Sequence, residues 1–137
     1  MTDDTTKKKI LIIEDEAPAA LALGNALEQE GFEVLSADDG EKGLKLALES
    51  HPDVMLVDLR LPKMDGMEVV REVRKDAWGK NAHIIILTNM SDTGRLEEAM
   101  SQNTFYYLVK GDSSIADVIQ AVKSQFAHGK DSSAPKL

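Results

Sequence analysis

Four short apolar runs, each closed or followed by a polar residue, restrict the possible folds of this chain more than any other feature. The runs lie at residues 9–13, 53–58, 83–88 and 105–110, and a shorter, weaker one lies at 33–37. Their continuous Ile, Leu and Val content is typical of strands that are buried on both faces of a parallel sheet. The sequence therefore predicts five strands.

Five segments with helical signals alternate with these strands, at residues 18–30, 41–50, 67–76, 92–102 and 113–126. The last is the most regular, because apolar residues recur along it at the three- and four-residue spacing of one helix face. Strict alternation of strand and helix predicts an α/β fold with right-handed crossovers. We expect a flavodoxin-like (βα)5 arrangement, in which a doubly wound, five-stranded parallel sheet has the strand order 2-1-3-4-5.

The length of 137 residues fits a single hydrophobic core. We expect one domain at residues 8–127, with residues 1–7 and 128–137 as flexible ends because they are mostly small or polar. No apolar stretch approaches the roughly 20 residues of a bilayer span, and the start of the chain lacks the apolar core of a secretory signal. A cytoplasmic location without membrane contact is therefore expected.

The charge balance and the absence of cysteine argue against several classes of function. Asp and Glu number 24 against 16 Lys and Arg, which gives a net charge of -8 at pH 7. This charge repels nucleic acid at long range, so no direct nucleic-acid binding is expected. Because the chain has no Cys, it has no thiolate nucleophile, no disulfide and no cysteine-based metal site.

Polar side chains follow the predicted strands at the sheet edge where open α/β folds bind their ligands. Glu14 and Asp15 follow the first strand, and Asp58, Thr88 and Lys110 close the third, fourth and fifth strands. Converging carboxylates repel one another unless a hard cation lies between them, and Mg²⁺ is the natural candidate. A hydroxyl and an ammonium beside them are suited to hold the oxygens of a phosphoryl group. The pattern indicates phosphoryl chemistry on a carboxylate.

Four segments carry a family resemblance. They are Ile-Leu-Ile-Ile-Glu-Asp-Glu at 10–16, Val-Asp-Leu-Arg-Leu-Pro-Lys-Met-Asp-Gly-Met-Glu at 57–68, Ile-Leu-Thr at 86–88 and Tyr-Leu-Val-Lys at 107–110. Together they resemble the receiver domain of two-component response regulators, including the chemotaxis regulators. The resemblance extends over about residues 8–126, nearly the whole chain.

This resemblance implies a role for each matching residue. Asp58 matches the phosphoacceptor. Glu14 and Asp15 match the acidic pair that holds Mg²⁺, and Arg60 matches the position whose backbone carbonyl also meets the metal. Thr88 matches the switch hydroxyl, Tyr107 matches the aromatic switch residue and Lys110 matches the signature lysine. The implied function is that of a single-domain response regulator. It is a signalling domain that assists its own phosphorylation and dephosphorylation, rather than an enzyme with a separate substrate.

The resemblance also implies partners. A sensor histidine kinase or a histidine phosphotransfer protein would supply the phosphoryl group to Asp58. The phosphorylated domain would then switch a face made by the fourth predicted helix, the fifth strand and the last helix. Because no further domain follows Phe126, we expect this face to act on a separate protein.

One position departs from the family pattern. Receivers usually follow their lysine with a proline in a cis peptide bond, whereas Gly111 follows Lys110 here. A cis bond to a non-proline residue costs about 2.5 to 4 kcal/mol, so we expect a trans bond and a positive φ at Gly111. This departure leaves an alternative open, in which a degenerate receiver acts as an unphosphorylated interaction module or as a phosphate sink.

Two other classes of protein share part of this pattern. A haloacid-dehalogenase-type phosphatase also has an aspartate nucleophile after a strand, but it needs a second aspartate two residues later, where this chain has Arg60. A flavodoxin-like FMN carrier needs a phosphate-cradling loop after the first strand, where Glu14, Asp15 and Glu16 would repel a phosphate. Both classes fit the sequence less well than a receiver.

Overall fold

The five predicted strands form one parallel sheet in a computed structural model that describes residues 7–89, 94, 96, 106–111 and 113–127. The strands are β1 (Lys9–Ile13), β2 (Glu33–Ala37), β3 (Val54–Asp58), β4 (His83–Thr88) and β5 (Tyr106–Val109). Their order is β2-β1-β3-β4-β5, and each neighbouring pair is parallel. The predicted flavodoxin-like topology is confirmed.

Four of the predicted helices are present, with bounds within two residues of those expected. They are α1 (Ala17–Gln29), α2 (Gly40–Ser50), α3 (Gly66–Lys75) and the C-terminal helix (Ile115–Ala127). The helix predicted at 92–102 lies outside the described residues, except that Gly94 and Leu96 are helical and Leu96 is buried.

The core lies on both faces of the sheet, as a continuous apolar strand requires. Alternate residues of β1 show this division, because Ile10 and Ile12 pack with α1 and the C-terminal helix. Leu11 and Ile13 pack on the opposite face with α2 and α3. Burying each such side chain stabilises the fold by about 1.5 to 3 kcal/mol, and the two layers fix the strand ends that carry the polar residues.

Side-chain caps set where two helices begin. The Asp39 carboxylate accepts the Lys42 backbone N–H at 2.8 Å at the start of α2, and the Asp65 carboxylate accepts the Glu68 N–H at 3.0 Å at the start of α3. Such a cap stabilises a helix by about 1 kcal/mol. Both caps lie at the same edge of the sheet as the carboxyl ends of the strands.

None of the helices in the described part of the chain has the length and apolar character that crossing a bilayer requires.

Candidate functional site

Three carboxylates meet where β1 and β3 end side by side. Ile13 is paired with Val57 in the parallel ladder, so Glu14 and Asp58, the next residue of each chain segment, are neighbours. Both are buried, with 2% and 6% of their surface exposed, whereas Asp15 is exposed. One carboxylate oxygen from each of the three lies within 4.8 Å of the others. The predicted convergence of acidic side chains is therefore present in the fold.

Lys110 joins two of these carboxylates. Its Nζ donates to Asp58 Oδ2 at 3.0 Å and to Glu14 Oε1 at 3.1 Å. The peptide bond to Gly111 is trans, and Gly111 has a φ of 90°. Both expectations for this departure from the family pattern are confirmed, and Lys110 reaches the carboxylates without a following proline.

The other oxygen of each buried carboxylate is held by the backbone. Asp58 Oδ1 accepts the Arg60 N–H at 3.2 Å, and Glu14 Oε2 accepts the Glu16 N–H at 3.1 Å. With Lys110 on one oxygen and a backbone amide on the other, each carboxylate is fixed in orientation. The site is therefore preorganised by local loops that follow β1 and β3.

Burial changes the acidity of the site. Desolvation raises the pKa of Asp58 from 3.8 to about 6, and the nearby Glu14 charge adds to this, although the hydrogen bond and charge of Lys110 oppose it. For Lys110, burial works against the ammonium, but the hydrogen bonds and charges of Asp58 and Glu14 outweigh it and raise its pKa. At neutral pH, Asp58 is thus mostly an anion held against a cation.

Thr88 and Tyr107 occupy neighbouring strands near the site. Thr88 is buried and closes β4, and its hydroxyl donates to the Asn89 carbonyl oxygen at 3.2 Å. Tyr107 is half-buried and pairs with Ile86 in the ladder. Because side chains alternate along a strand, Ile86 and Thr88 share one face of the sheet, and Tyr107 packs against the core of that face.

Arg60 lies in the loop between β3 and α3, with its side chain exposed. A cleft of about 490 Å³ separates this loop from Asp15, and its lining is Asp15, Leu59, Arg60, Leu61, Pro62 and Asp65. Of the three carboxylates, Asp15 lines this cleft, so water can reach the site from this side.

The donor set fits Mg²⁺. Within the described part of the chain, three carboxylates offer hard oxygen ligands here, and the Lys110 ammonium pairs with two of them. Mg²⁺ prefers oxygen ligands and retains several waters, which the adjoining cleft can hold. The residues present therefore suit this cation.

Comparison with known proteins decides the family. The model of the response regulator receiver domain matches residues 10–123. The chain belongs to the response regulator receiver family. Receivers are signalling domains of two-component systems, which accept phosphate from histidine kinases or phosphotransfer proteins.

Individual receivers show the same likeness. The chain is 34% identical over 122 residues to the transcriptional regulatory protein PdtaR of Mycobacterium tuberculosis, covering 88% of this chain and 58% of that protein. The chain spans about half the length of the curated relatives that it matches first.

Solved receiver structures have the same fold as this chain. A receiver domain protein from Clostridium thermocellum superposes with a TM-score of 0.81 at 32% identity, covering 90% of this chain and 97% of that one. The receiver domain of sensor histidine kinase PA1611 from Pseudomonas aeruginosa superposes with a TM-score of 0.79 at 26% identity, covering 89% and 99%. That structure has a magnesium ion coordinated in its active site cleft.

The contact between Glu14 and Lys110 was not anticipated from the sequence, which placed Lys110 against phosphoryl oxygens only. The sequence carried a signal for it, because three acids and one lysine share the carboxyl ends of a parallel sheet. A lone ammonium among carboxylates forms an ion pair before any phosphoryl group arrives.

Proposed function

We propose that this receiver accepts a phosphoryl group on Asp58, with Mg²⁺ held by Glu14, Asp15, Asp58 and the Arg60 backbone carbonyl. The donor is a phosphohistidine of a sensor histidine kinase or a histidine phosphotransfer protein. The observation that carries the proposal is the position of Asp58, which is buried at the end of β3, 3.0 Å from Lys110 and beside the acidic pair.

The proposed chemistry follows from the charges of these residues. A carboxylate oxygen of Asp58 attacks phosphorus, an O–P bond forms, and the P–N bond breaks with its electron pair leaving on the imidazole. Asp58 must be ionised to attack, and a pKa of about 6 keeps it so at neutral pH. A bound Mg²⁺ supplies charge neutralisation of the phosphoryl oxygens.

Lys110 has two successive tasks in this proposal. Before transfer it holds Asp58 and Glu14 through its ammonium. Once Asp58 carries the phosphoryl group, the same ammonium would pair with a phosphoryl oxygen, and Glu14 would be among the residues that hold Mg²⁺. The buried Thr88 hydroxyl, which bonds only weakly to the Asn89 carbonyl at 3.2 Å, is the switch group that turns toward the phosphoryl oxygens.

The signal then leaves through Tyr107 and the elements around it. A phosphoryl group adds roughly -1.5 to -2 charges, and its pull on Thr88 frees space that half-buried Tyr107 can enter. The proposed output face, made of the segment at 92–102, β5 and the C-terminal helix, binds a downstream protein and not nucleic acid. The cytoplasm is the proposed location.

The alternative of a degenerate receiver depended on Gly111. Because Lys110 contacts Asp58 despite the glycine, this geometry favours a phosphoacceptor over an unphosphorylated module.

Incubation with acetyl phosphate and MgCl2, followed by intact mass spectrometry, tests the proposal. We expect one added phosphoryl group in the wild type, none in Asp58→Asn, and none in the presence of EDTA. Asp38→Asn is the matched control, because Asp38 is an exposed aspartate paired with Lys42, and this variant should be phosphorylated like the wild type. Equal uptake by Asp58→Asn would reject the assignment.

A further inference from the structure

Gly40, the first residue of α2, lies against the loop that joins β3 to α3. Its N–H donates to the Pro62 carbonyl oxygen at 3.2 Å. A Cβ built on Gly40 would overlap the Met64 carbonyl oxygen, and would lie 2.7 Å from the Met64 carbonyl carbon and 2.8 Å from Met64 Cβ. Real Cβ atoms essentially never come this close to other heavy atoms. Only glycine therefore fits between α2 and this loop.

The contacts of Gly40 with Pro62 and with Met64 lie on either side of Lys63, a strained residue at the tip of the loop. Lys63 has a φ of 71°, a left-handed conformation that costs a non-glycine residue roughly 1 to 2 kcal/mol. The Met64 N–H donates to the same Pro62 carbonyl at 2.7 Å and closes a tight turn around Lys63. Gly40 thus supports the turn from outside.

The loop held in this way is the one that carries the Arg60 carbonyl. Its ends are fixed to the sheet, because the Leu59 N–H donates to the Leu87 carbonyl at 2.9 Å and the Gly66 N–H donates to the Leu59 carbonyl at 2.8 Å. Between these ends the chain leaves the sheet and returns, and Gly40 meets it at its middle. Gly40 therefore contacts the same loop that faces Asp15 across the cleft.

We propose that Gly40 is a positioning residue for the metal site, which clamps residues 62–64 so that the Arg60 carbonyl is held beside the three carboxylates. This inference rests on the proposed function, because it concerns the same Mg²⁺ site. Coupling between two sites is reciprocal. Mg²⁺ binding therefore strengthens the hydrogen bond from the Gly40 N–H to Pro62.

Gly40→Ala tests the clamp, and Gly79→Ala is its matched control. A Cβ on Gly79 would overlap the Val73 carbonyl oxygen and lie 2.7 Å from its carbonyl carbon, the same clash as at Gly40. Gly79 precedes β4, so it lies at the end of the sheet opposite the carboxylates. Both variants should lose comparable thermal stability, which separates destabilisation from loss of the metal site.

Isothermal titration calorimetry with MgCl2 measures the difference. Gly40→Ala is expected to lose about 10-fold to 100-fold in Mg²⁺ affinity, the loss typical when a group that orients a metal ligand is disturbed. Gly79→Ala is expected to bind Mg²⁺ like the wild type.

A measurement on the wild type covers the case in which Gly40→Ala does not fold. Addition of Mg²⁺ should shift the Gly40 amide resonance in NMR spectra and slow its hydrogen exchange several-fold, with the Gly79 amide unchanged. Equal Mg²⁺ affinity in the two variants, or a Gly40 amide that ignores Mg²⁺, overturns the clamp and leaves phosphorylation of Asp58 standing. A wild type that binds no Mg²⁺ and accepts no phosphoryl group overturns both proposals.

Discussion

Asp58→Asn should stabilise the folded protein at neutral and alkaline pH, although it removes the proposed phosphoacceptor. In the fold, desolvation raises the pKa of Asp58 from 3.8 to about 6, so its charged form is disfavoured relative to the unfolded chain. Asparagine has no charge to desolvate, and its amide oxygen can still accept from Lys110. The variant therefore removes a cost that the wild type bears for its function.

The size and pH range of the effect follow from the two pKa values. Because the folded value is the higher one, the wild type is not penalised below pH 3.8, loses stability as the pH rises from 3.8 to 6, and stays penalised above 6. At roughly 1.4 kcal/mol per pH unit, the full penalty is about 3 kcal/mol. It falls to about 1 kcal/mol at pH 4.5.

Urea unfolding with EDTA present, at pH 4.5 and pH 8, measures this difference. A gain of about 3 kcal/mol corresponds to a melting temperature roughly 10 °C higher at pH 8. Asp38→Asn is a control in which stability should change in the opposite direction, because the hydrogen bond from Lys42 lowers the pKa of Asp38. If Asp58→Asn is no more stable than the wild type at pH 8, the claim that burial destabilises the charged form of this carboxylate is refuted.

Four further predictions follow from the same contacts. Asp15→Asn should weaken Mg²⁺ binding in calorimetry about 10-fold or more while barely changing stability, since Asp15 is exposed; unchanged affinity would contradict its role as a ligand. Lys110→Ala should abolish the structural response to phosphorylation while retaining Mg²⁺ binding, and equal loss of both in calorimetry and NMR would indicate a different placement of the lysine. Gly111→Ala should lower the free energy of unfolding, measured with urea, by about 1 kcal/mol. A Cβ at this position meets nothing within 4 Å, so only the φ of 90° disfavours alanine. An unchanged urea midpoint would show that the turn readjusts. A beryllium fluoride adduct should shift amide resonances across residues 88–110, and a silent Tyr107 would reject the switch.

Much of the fold was predictable because burial on both faces leaves a plain pattern in the sequence. The strands of the sheet centre read as continuous apolar runs, and β2, at the edge, was weaker for the physical reason that it is only partly buried. The C-terminal helix was predicted from its stripe, yet Ile115, the first residue of that stripe, is 42% exposed. A periodic pattern identifies a helix face but does not show where the neighbouring layer ends.

The candidate site was predictable at the level of which residues meet, because parallel strands bring their carboxyl ends to one edge. Its internal pairing was not. The shared strand ends indicate that Lys110 meets carboxylates, but its pairing with Glu14 in particular depends on a few ångströms of loop geometry, as does the contact of Gly40 with residues 62–64. No periodicity encodes such contacts. The helix predicted at 92–102 lies outside the described residues except for Gly94 and Leu96.

Chemical trapping of the acyl phosphate tests the central claim most directly. Borohydride reduces an aspartyl phosphate to homoserine, which peptide mass spectrometry locates in the sequence after treatment with acetyl phosphate and MgCl2. We predict homoserine at position 58 alone, in a reaction that EDTA prevents. Homoserine at Asp15 or Asp65 instead, or at no position, would contradict the account.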